Sequence, residues 1–299
     1  MKVFFGGVRG SMPCSGPEFA AYGGHTTCVL VTGTGGERLL LDAGSGVQAV
    51  NSRLARPVPA GAEAGIVVLL SHLHLDHVLG LPKLAALFTP GAEVRIVAPA
   101  PVGLSLQQAL DRVFSPPLWP YSLAQATARV RIQELARADL DGRSTALRHG
   151  GLTVRGLEMP HPGGCAAWRI EDANGGGSLV LATDLEWERG DEQQHRSFVE
   201  LCARPHPVDL LVMDGQFSSD ELPRHRGWGH SSTAQCAEAA AAAGVARLLV
   251  THHAPGNDDA RLDTIARELE ILRPGATLAR EGLELELGGR PAAGQGRQP

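Results

Sequence analysis

The residues with the clearest capacity for chemistry lie in one short stretch of this 299-residue chain. The segment LSHLHLDH, residues 70–77, places three histidines and one aspartate within six positions, directly after the apolar run 66–70. Imidazole and carboxylate ligands without thiolate suit zinc, manganese or iron in a site that stays open to water. A purely structural role would bury these groups at roughly 1 to 3 kcal/mol for each one left unpaired. The stretch therefore predicts a metal site.

Further candidates stand at or just after the ends of other β-type runs. His161 follows LTVRGLEM, Asp184 follows SLVLAT, Asp214 ends VDLLVMD, and His252 follows ARLLVT. Loops at the carboxyl ends of strands in α/β proteins converge on one crevice. We therefore expect these side chains to share one edge of the fold with the first cluster.

Together the two groups supply enough ligands for two ions if one carboxylate bridges them. The seven predicted ligands are His72, His74, Asp76, His77, His161, Asp184 and His252. Two ions about 3.5 to 4 Å apart would share a hydroxide nucleophile and stabilise the charge that develops on a substrate oxygen. This pattern predicts a hydrolase with two divalent ions, zinc first and manganese or iron as alternatives.

The elements that must position these residues alternate between short β-type runs and helical stretches, which is typical of an α/β protein. DANGGG, residues 172–177, predicts a hairpin turn, and SPPLWPY, residues 115–121, predicts a loop within an otherwise helical and irregular region 104–140. Residues 80–91 are predicted to form a helix. A second helix is expected to begin at a Ser232–Gln235 capping box and to end near Gly244.

Composition restricts the class of protein and its partners. A net charge of −5 provides no overall positive field for holding long nucleic acid. Five cysteines without CxxC spacing indicate reduced thiols, and no signal peptide or run of roughly 20 apolar residues is evident, so we expect a cytoplasmic protein without a membrane span. One domain is expected over residues 1–288, followed by a fraying tail, 289–299.

The sequence resembles the metallo-β-lactamase superfamily, whose HxHxDH motif is matched by residues 72–77. Within that superfamily it is most similar to the tRNase Z and cyclic-nucleotide phosphodiesterase branch, through SHLHLDHVLGLP and GHSSTAQCAEAAAAAGVARLLVTHHAP. The resemblance implies an αββα four-layer sandwich, in which two mixed sheets pack face to face with helices outside.

The resemblance also implies roles for individual residues. His72, His74 and His161 would hold a first metal, Asp76, His77 and His252 a second, and Asp184 would bridge the two. Asp76 counts among the catalytic residues as well. His230, in WGHSS, would be the general acid that protonates the leaving oxygen. Asp214 would orient His230 or help to position water, although a structural aspartate explains it almost equally well.

Two histidines are weaker candidates for substrate contact. His253 follows the predicted ligand His252, and His25 stands where related sequences often have asparagine. Arg9 could reach a phosphate, but a turn that holds the first strand is the preferred interpretation.

Relatives that process tRNA carry a long inserted arm, commonly between the third histidine and the bridging aspartate. Between His161 and Asp184 there is room for little more than one hairpin. We therefore predict a phosphodiesterase that acts on a small phosphodiester, such as a cyclic nucleotide, by means of a metal-bridging hydroxide and the His230 acid, and we expect no long nucleic acid as partner. Alternatives are a lactone, thioester or β-lactam hydrolase, or an iron-binding redox or sensor protein. A homodimer is an open possibility.

Overall fold

The computed structural model describes residues 1–56 and 65–288, which include two seven-stranded mixed sheets. The predicted tail 289–299 lies outside the described residues. In spatial order the first sheet comprises β14 (Glu284–Glu286), β1 (Lys2–Gly7), β2 (Cys28–Thr32), β3 (Arg38–Leu41), β4 (Ile66–Leu69), β5 (Glu93–Pro99) and β6 (Arg129–Leu135). The second comprises β13 (Thr277–Leu278), β12 (Leu248–Thr251), β11 (Leu210–Asp214), β10 (Gly177–Ala182), β9 (Cys165–Asp172), β8 (Leu152–Met159) and β7 (Asp141–His149).

Each sheet is antiparallel at one side and parallel at the other. In the first sheet β3 to β6 run parallel, and in the second β10 to β13 do. The DANGGG segment turns the antiparallel pair β9–β10, as predicted. The parallel portions matter for function because their carboxyl ends point in one direction and bring the following loops together.

Helices cover the outer faces of both sheets. The α-helices of the described residues are α1 (Val47–Leu54), α2 (Leu75–Val78), α3 (Leu106–Val113), α4 (Glu192–Ala203), α5 (Thr233–Ala242) and α6 (Asp259–Leu272), of which the short α2 carries Asp76 and His77 at the edge of the sandwich. The predicted capping box of α5 is present: the Ser232 hydroxyl accepts from the N–H of Gln235, whose side chain accepts from the N–H of Ser232. Gly244, just beyond the helix, has a φ of +64° and serves as the predicted end.

The core has three apolar layers because strand side chains alternate between faces. Val67 and Leu69 of β4 pack between the sheets with Trp168 of β9, whereas Ile66 and Val68 pack outward. The outer face of the second sheet packs against α4, α5 and α6. Two sheets with helices on both outer faces form the predicted αββα sandwich, and that prediction is confirmed.

Two local predictions were wrong. Residues 80–91 form two short 3₁₀ turns, Leu81–Lys83 and Ala85–Phe88, because the buried Leu81, Leu84 and Leu87 recur every three residues and Leu84 is extended. Region 104–140 includes the strand β6, which pairs in parallel with β5. The alternation in RVRIQEL has a period of two, which a strand satisfies and a helix does not.

None of the helices within residues 1–56 and 65–288 has both the length and the apolar character that crossing a membrane requires.

Candidate metal centre

The predicted metal ligands meet at one edge of the sandwich. β4 leads to the HxHxDH segment, β8 to His161, β10 to Asp184 and β12 to His252, and each loop turns towards the same crevice. Their donor atoms form two groups, each with all atoms within 4.8 Å of one another. The first group is His72, His74, His161 and Asp184; the second is Asp76, His77, Asp184 and His252.

Asp184 belongs to both groups and divides its two oxygens between them. Oδ2 lies 3.7 Å from His72 Nε2 and 3.8 Å from His161 Nε2. Oδ1 lies 3.1 Å from His77 Nε2 and 3.0 Å from His252 Nε2. A carboxylate with one oxygen facing each group has the geometry of a ligand that bridges two cations.

Several histidines are held so that one ring nitrogen is left for a metal. His77 Nδ1 donates to Asp42 Oδ2 at 2.8 Å, His161 Nδ1 to the Gly229 carbonyl at 2.8 Å, and His252 Nδ1 to Gln216 Oε1 at 3.0 Å. Such outer contacts orient a metal-binding imidazole and set its tautomer. The opposite nitrogens point into the two groups.

The hydrogen bonding of the inward-facing donor atoms shows whether they are available to bind a metal. Four of them are buried and make no hydrogen bond of suitable angle among the described residues, although Asp184 Oδ1 lies within 3.1 Å of two of the nitrogens. They are His72 Nε2, His77 Nε2, His252 Nε2 and Asp184 Oδ1. Buried polar atoms are rarely left unsatisfied, because each costs roughly 1 to 3 kcal/mol. Nitrogen and oxygen donors that converge without hydrogen bonds therefore fit divalent cations such as zinc.

Electrostatics at the centre follow from burial and from the carboxylates. Burial, and then the charge of the neighbouring His77, hold the pKa of His72 well below its usual value. Burial would also lower the pKa of His252, but the adjacent Asp184 carboxylate outweighs it and raises the pKa to about 10. In the second group, protons and metal cations therefore compete for the same negatively charged pocket.

The backbone at the centre is constrained as well. Asp42, Asp184 and His252 have φ values of 55°, 52° and 63°, in the left-handed region that non-glycine residues seldom occupy. Such conformations persist where the surrounding structure compels them, and they cluster at functional sites. Here they turn side chains inward immediately after a strand ends.

Asp42 is a supporting residue that the sequence analysis missed. Buried at the end of β3, it accepts from the N–H and the hydroxyl of Ser71 at 2.7 and 2.8 Å and from His77 Nδ1. The Ser71 hydroxyl in turn lies 3.1 Å from His72 Nδ1. A signal was available, because Asp42 ends the run RLLLD just as the predicted ligands follow theirs.

Asp42→Asn is expected to weaken metal binding by about 10- to 100-fold, the usual effect of losing an outer partner of a metal-bound histidine. Asparagine tolerates the left-handed backbone but has one acceptor oxygen in place of two, so His77 or Ser71 loses its partner. Titration of the apoprotein with zinc against a competing chelator measures the change.

Asp172→Asn is the matched control for Asp42→Asn. Asp172 is also buried and accepts from the N–H and the hydroxyl of Thr34. It ends β9, away from the HxHxDH segment. The control substitution should lower stability without lowering zinc affinity. Wild-type zinc affinity in the Asp42 variant would contradict the supporting role.

The candidate general acid lies beside the second group. His230 Nδ1 donates to Asp214 Oδ2 at 2.9 Å, and the His230 ring stacks on that of His252 with 4.9 Å between centroids. Asp214 is fully buried at the end of β11, and its other oxygen accepts from the N–H of Gln216 at 3.0 Å. The structure thus brings His230 and Asp214 together as a hydrogen-bonded pair next to the metal ligands.

The two weaker histidines are engaged elsewhere. His253 is buried and its Nε2 donates to the Ala279 carbonyl at 2.8 Å, while burial lowers its pKa to about 3. This arrangement suits a neutral structural histidine and does not favour substrate contact. His25 lies 3.1 Å from the Ser45 hydroxyl and 3.9 Å from Glu281, and it belongs to neither ligand group.

Arg9 is structural in its contacts. Its guanidinium is buried and donates to the carbonyls of Gly23, Ala254 and Asn257 at 2.7, 3.3 and 2.6 Å. These bonds tie the loop that precedes β2 to the loop that follows β12.

Comparison with known proteins agrees with this architecture. A family model described as the beta-lactamase superfamily domain matches residues 37–253, which contain all seven predicted ligands. The chain belongs to this superfamily. This member is 27% identical over 283 residues to ribonuclease Z of Gemmatimonas aurantiaca, with 84% of this chain and 87% of that protein covered. The predicted superfamily is thereby confirmed, the similarity to ribonuclease Z agrees with the predicted branch, and the protein is a metal-dependent hydrolase.

Solved structures share the fold at lower sequence identity. Unliganded yeast PDE1 superposes with a TM-score of 0.68 at 16% identity, covering 96% of this superfamily member and 99% of PDE1. Zn(2+)-bound PqqB from Methylobacterium extorquens has a TM-score of 0.67 at 21% identity, covering 96% and 100%. At these identities the likeness concerns the fold.

Proposed function

We propose that this protein hydrolyses a small phosphodiester, such as a cyclic nucleotide, with two divalent metal ions, zinc foremost. The observation that carries the proposal is the division of the Asp184 oxygens between two histidine groups. A single ion would need only one of these groups. The ribonuclease Z relative, named for cleaving a phosphodiester polymer, supports the choice of bond.

Two ions bound here would polarise a phosphoryl oxygen and lower the pKa of a water molecule so that it can attack phosphorus. The chain itself contributes orientation. Asp76 Oδ2 accepts from the N–H of Ser11 at 2.7 Å and lies 3.2 Å from His77 Nε2 and 3.4 Å from His252 Nε2, so its carboxylate is held among the ligands.

His230 supplies the proton for the leaving oxygen. Because Asp214 accepts from Nδ1, that nitrogen keeps its hydrogen, and the proton that the imidazolium releases comes from Nε2. Protonation of an alkoxide leaving group in this way typically contributes 10²- to 10⁴-fold to the rate.

A small substrate is favoured by the surroundings of the centre. Between His161 and Asp184 the chain consists mainly of the β9–β10 hairpin. The net charge of −5 adds no general attraction for long RNA.

The proposal is tested with the zinc-loaded protein on bis(p-nitrophenyl) phosphate, cyclic nucleotides, short and long RNA, lactones and thioesters. We expect turnover of the first two. Turnover of lactones or thioesters alone would replace phosphorus chemistry with carbonyl chemistry, and turnover of long RNA alone would contradict the small substrate.

Removing the metals is expected to abolish activity and to lower the melting temperature. Ions that bind only the folded state stabilise it by about 2.7 kcal/mol at a free concentration 100 times Kd. Chelation followed by calorimetry, metal analysis and zinc readdition measures both effects, with about two zinc ions per chain expected on reloading. Iron as the dominant metal in protein isolated without added ions would instead favour the redox or sensor alternative.

A further inference from the structure

We propose that Glu186 is a positioning residue for this metal centre: its buried carboxylate holds residues 227–230, which orient the metal ligand His161 and carry the acid His230. The part that concerns His161 rests on metal binding alone. The part that concerns His230 rests on the proposed function.

Glu186 is 2% exposed, yet both of its oxygens bind backbone of one loop. Oε1 accepts from the N–H of Gly227 at 2.7 Å, and Oε2 accepts from the N–H of Gly229 at 3.1 Å. Its own N–H donates to the carbonyl of Pro160 at 2.8 Å. Glu186 therefore contacts the residue that precedes His161 as well as the loop that leads to His230.

Gly229 transmits this anchoring to the metal ligand. Its carbonyl accepts from His161 Nδ1 at 2.8 Å, and His161 presents its other nitrogen to the first group. The φ of Gly229 is +92°, and a Cβ there would lie 2.2 Å from His161 Nδ1. The loop thus packs directly against the ligand ring, so a shift of Gly229 displaces His161.

The next residue along the chain is His230, which starts the path into α5. Ser231 is held from the same side, because its hydroxyl donates to the carbonyl of Leu185 at 2.6 Å and accepts from the N–H of Trp187 at 3.2 Å. Residues 185–187 consequently hold the neighbours of the acid on both sides, Gly229 through its backbone and Ser231 through its hydroxyl. Glu186 is the only one of the three whose side chain makes these loop contacts among the described residues.

The same loop is also held by a second glutamate, Glu188, whose contacts are of the kind expected from a purely structural anchor. Glu188 binds the same loop from outside: its carboxylate accepts from the guanidinium of Arg226 twice, at 3.0 Å each. That pair is exposed, and exposed ion pairs contribute little. Glu188 therefore provides a matched control with the same side chain, the same loop and no contact to Gly229.

The test compares Glu186→Gln with Glu188→Gln. Glutamine at position 186 keeps the size but presents one N–H₂ group to two N–H donors, so one loop contact is lost. We expect zinc affinity to fall by about 10- to 100-fold, as for other partners that orient a metal-bound histidine. We also expect kcat on a phosphodiester to fall by at least about 10-fold with KM nearly unchanged, since the substrate itself is not contacted. Glu188→Gln should change each quantity less than about twofold.

Two further measurements keep the result decisive. Thermal unfolding of each variant establishes that it is folded. Gly229→Ala disturbs the contact between Gly229 and His161 directly and should also weaken zinc binding. Glu186→Gln that is folded but keeps wild-type zinc affinity would overturn the role towards His161, whatever the substrate. If the wild type binds zinc but cleaves no phosphodiester, the proposed function fails while the zinc titration still decides the role of Glu186.

Discussion

Asp184→Asn is expected to lower kcat/KM by on the order of 10³-fold and to reduce the zinc content below two ions per chain. Asp184 would be a ligand of both ions, and a bound ion stabilises transition-state charge by several kcal/mol, which corresponds to roughly 10²- to 10⁴-fold in rate. The asparagine amide has one acceptor oxygen, so one of the two histidine groups faces an N–H₂ group that cannot bind a cation.

The Asp184 prediction is measured by steady-state kinetics together with metal analysis of the purified variant. Asp220→Asn is the control, because Asp220 is an exposed aspartate that belongs to neither ligand group. Loss of activity with one ion retained would support a bridging carboxylate. Full activity with two zinc ions would show that Asp184 is not shared between them.

His230→Ala is expected to lower kcat by about 10²- to 10⁴-fold on a substrate with an alkoxide leaving group. The loss should be much smaller with p-nitrophenolate, which departs without needing a proton. Zinc content and KM should stay near wild type, since His230 belongs to neither of the two ligand groups that share Asp184. This dependence on the leaving group distinguishes proton donation from damage to the metal centre.

The kinetics of His230→Ala on the two leaving groups are compared with those of His225→Ala. His225 belongs to the same loop and stacks on Phe217 with 4.2 Å between centroids, whereas the hydrogen bond to Asp214 is made by His230. An equal loss on both leaving groups, or full activity of His230→Ala, would remove His230 from the role of acid; full activity would also revive the lactone and thioester alternative.

The ligand set could be predicted because it depends on short-range rules. Metal chemistry limits the donors to a few residue types, and the HxHxDH segment places four of them within six positions. The remaining three follow strands, and the carboxyl ends of parallel strands meet at one edge whatever the details of packing. The alternation of β-runs and helices likewise leaves few ways to bury the apolar faces.

The wrong local predictions arose where packing overrides propensity. Residues 80–91 contain good helix formers, but burial of Leu81, Leu84 and Leu87 beneath the first sheet is met by 3₁₀ turns. RVRIQEL was assigned to a helical and irregular region. It forms a strand because β5 is available as a pairing partner. Neither choice is decided within a few residues of the chain.

By itself, then, the sequence determined the donor types, their order along the strands and the family, because these follow from residue chemistry and local pattern. Only the tertiary structure decided how the donors are held. Asp42 lies 35 positions from His77, Gln216 lies 36 positions from His252, and Gly229 lies 68 positions from His161. Hydrogen bonds over such separations form only when the two sheets and their loops have packed, so no local pattern encodes them.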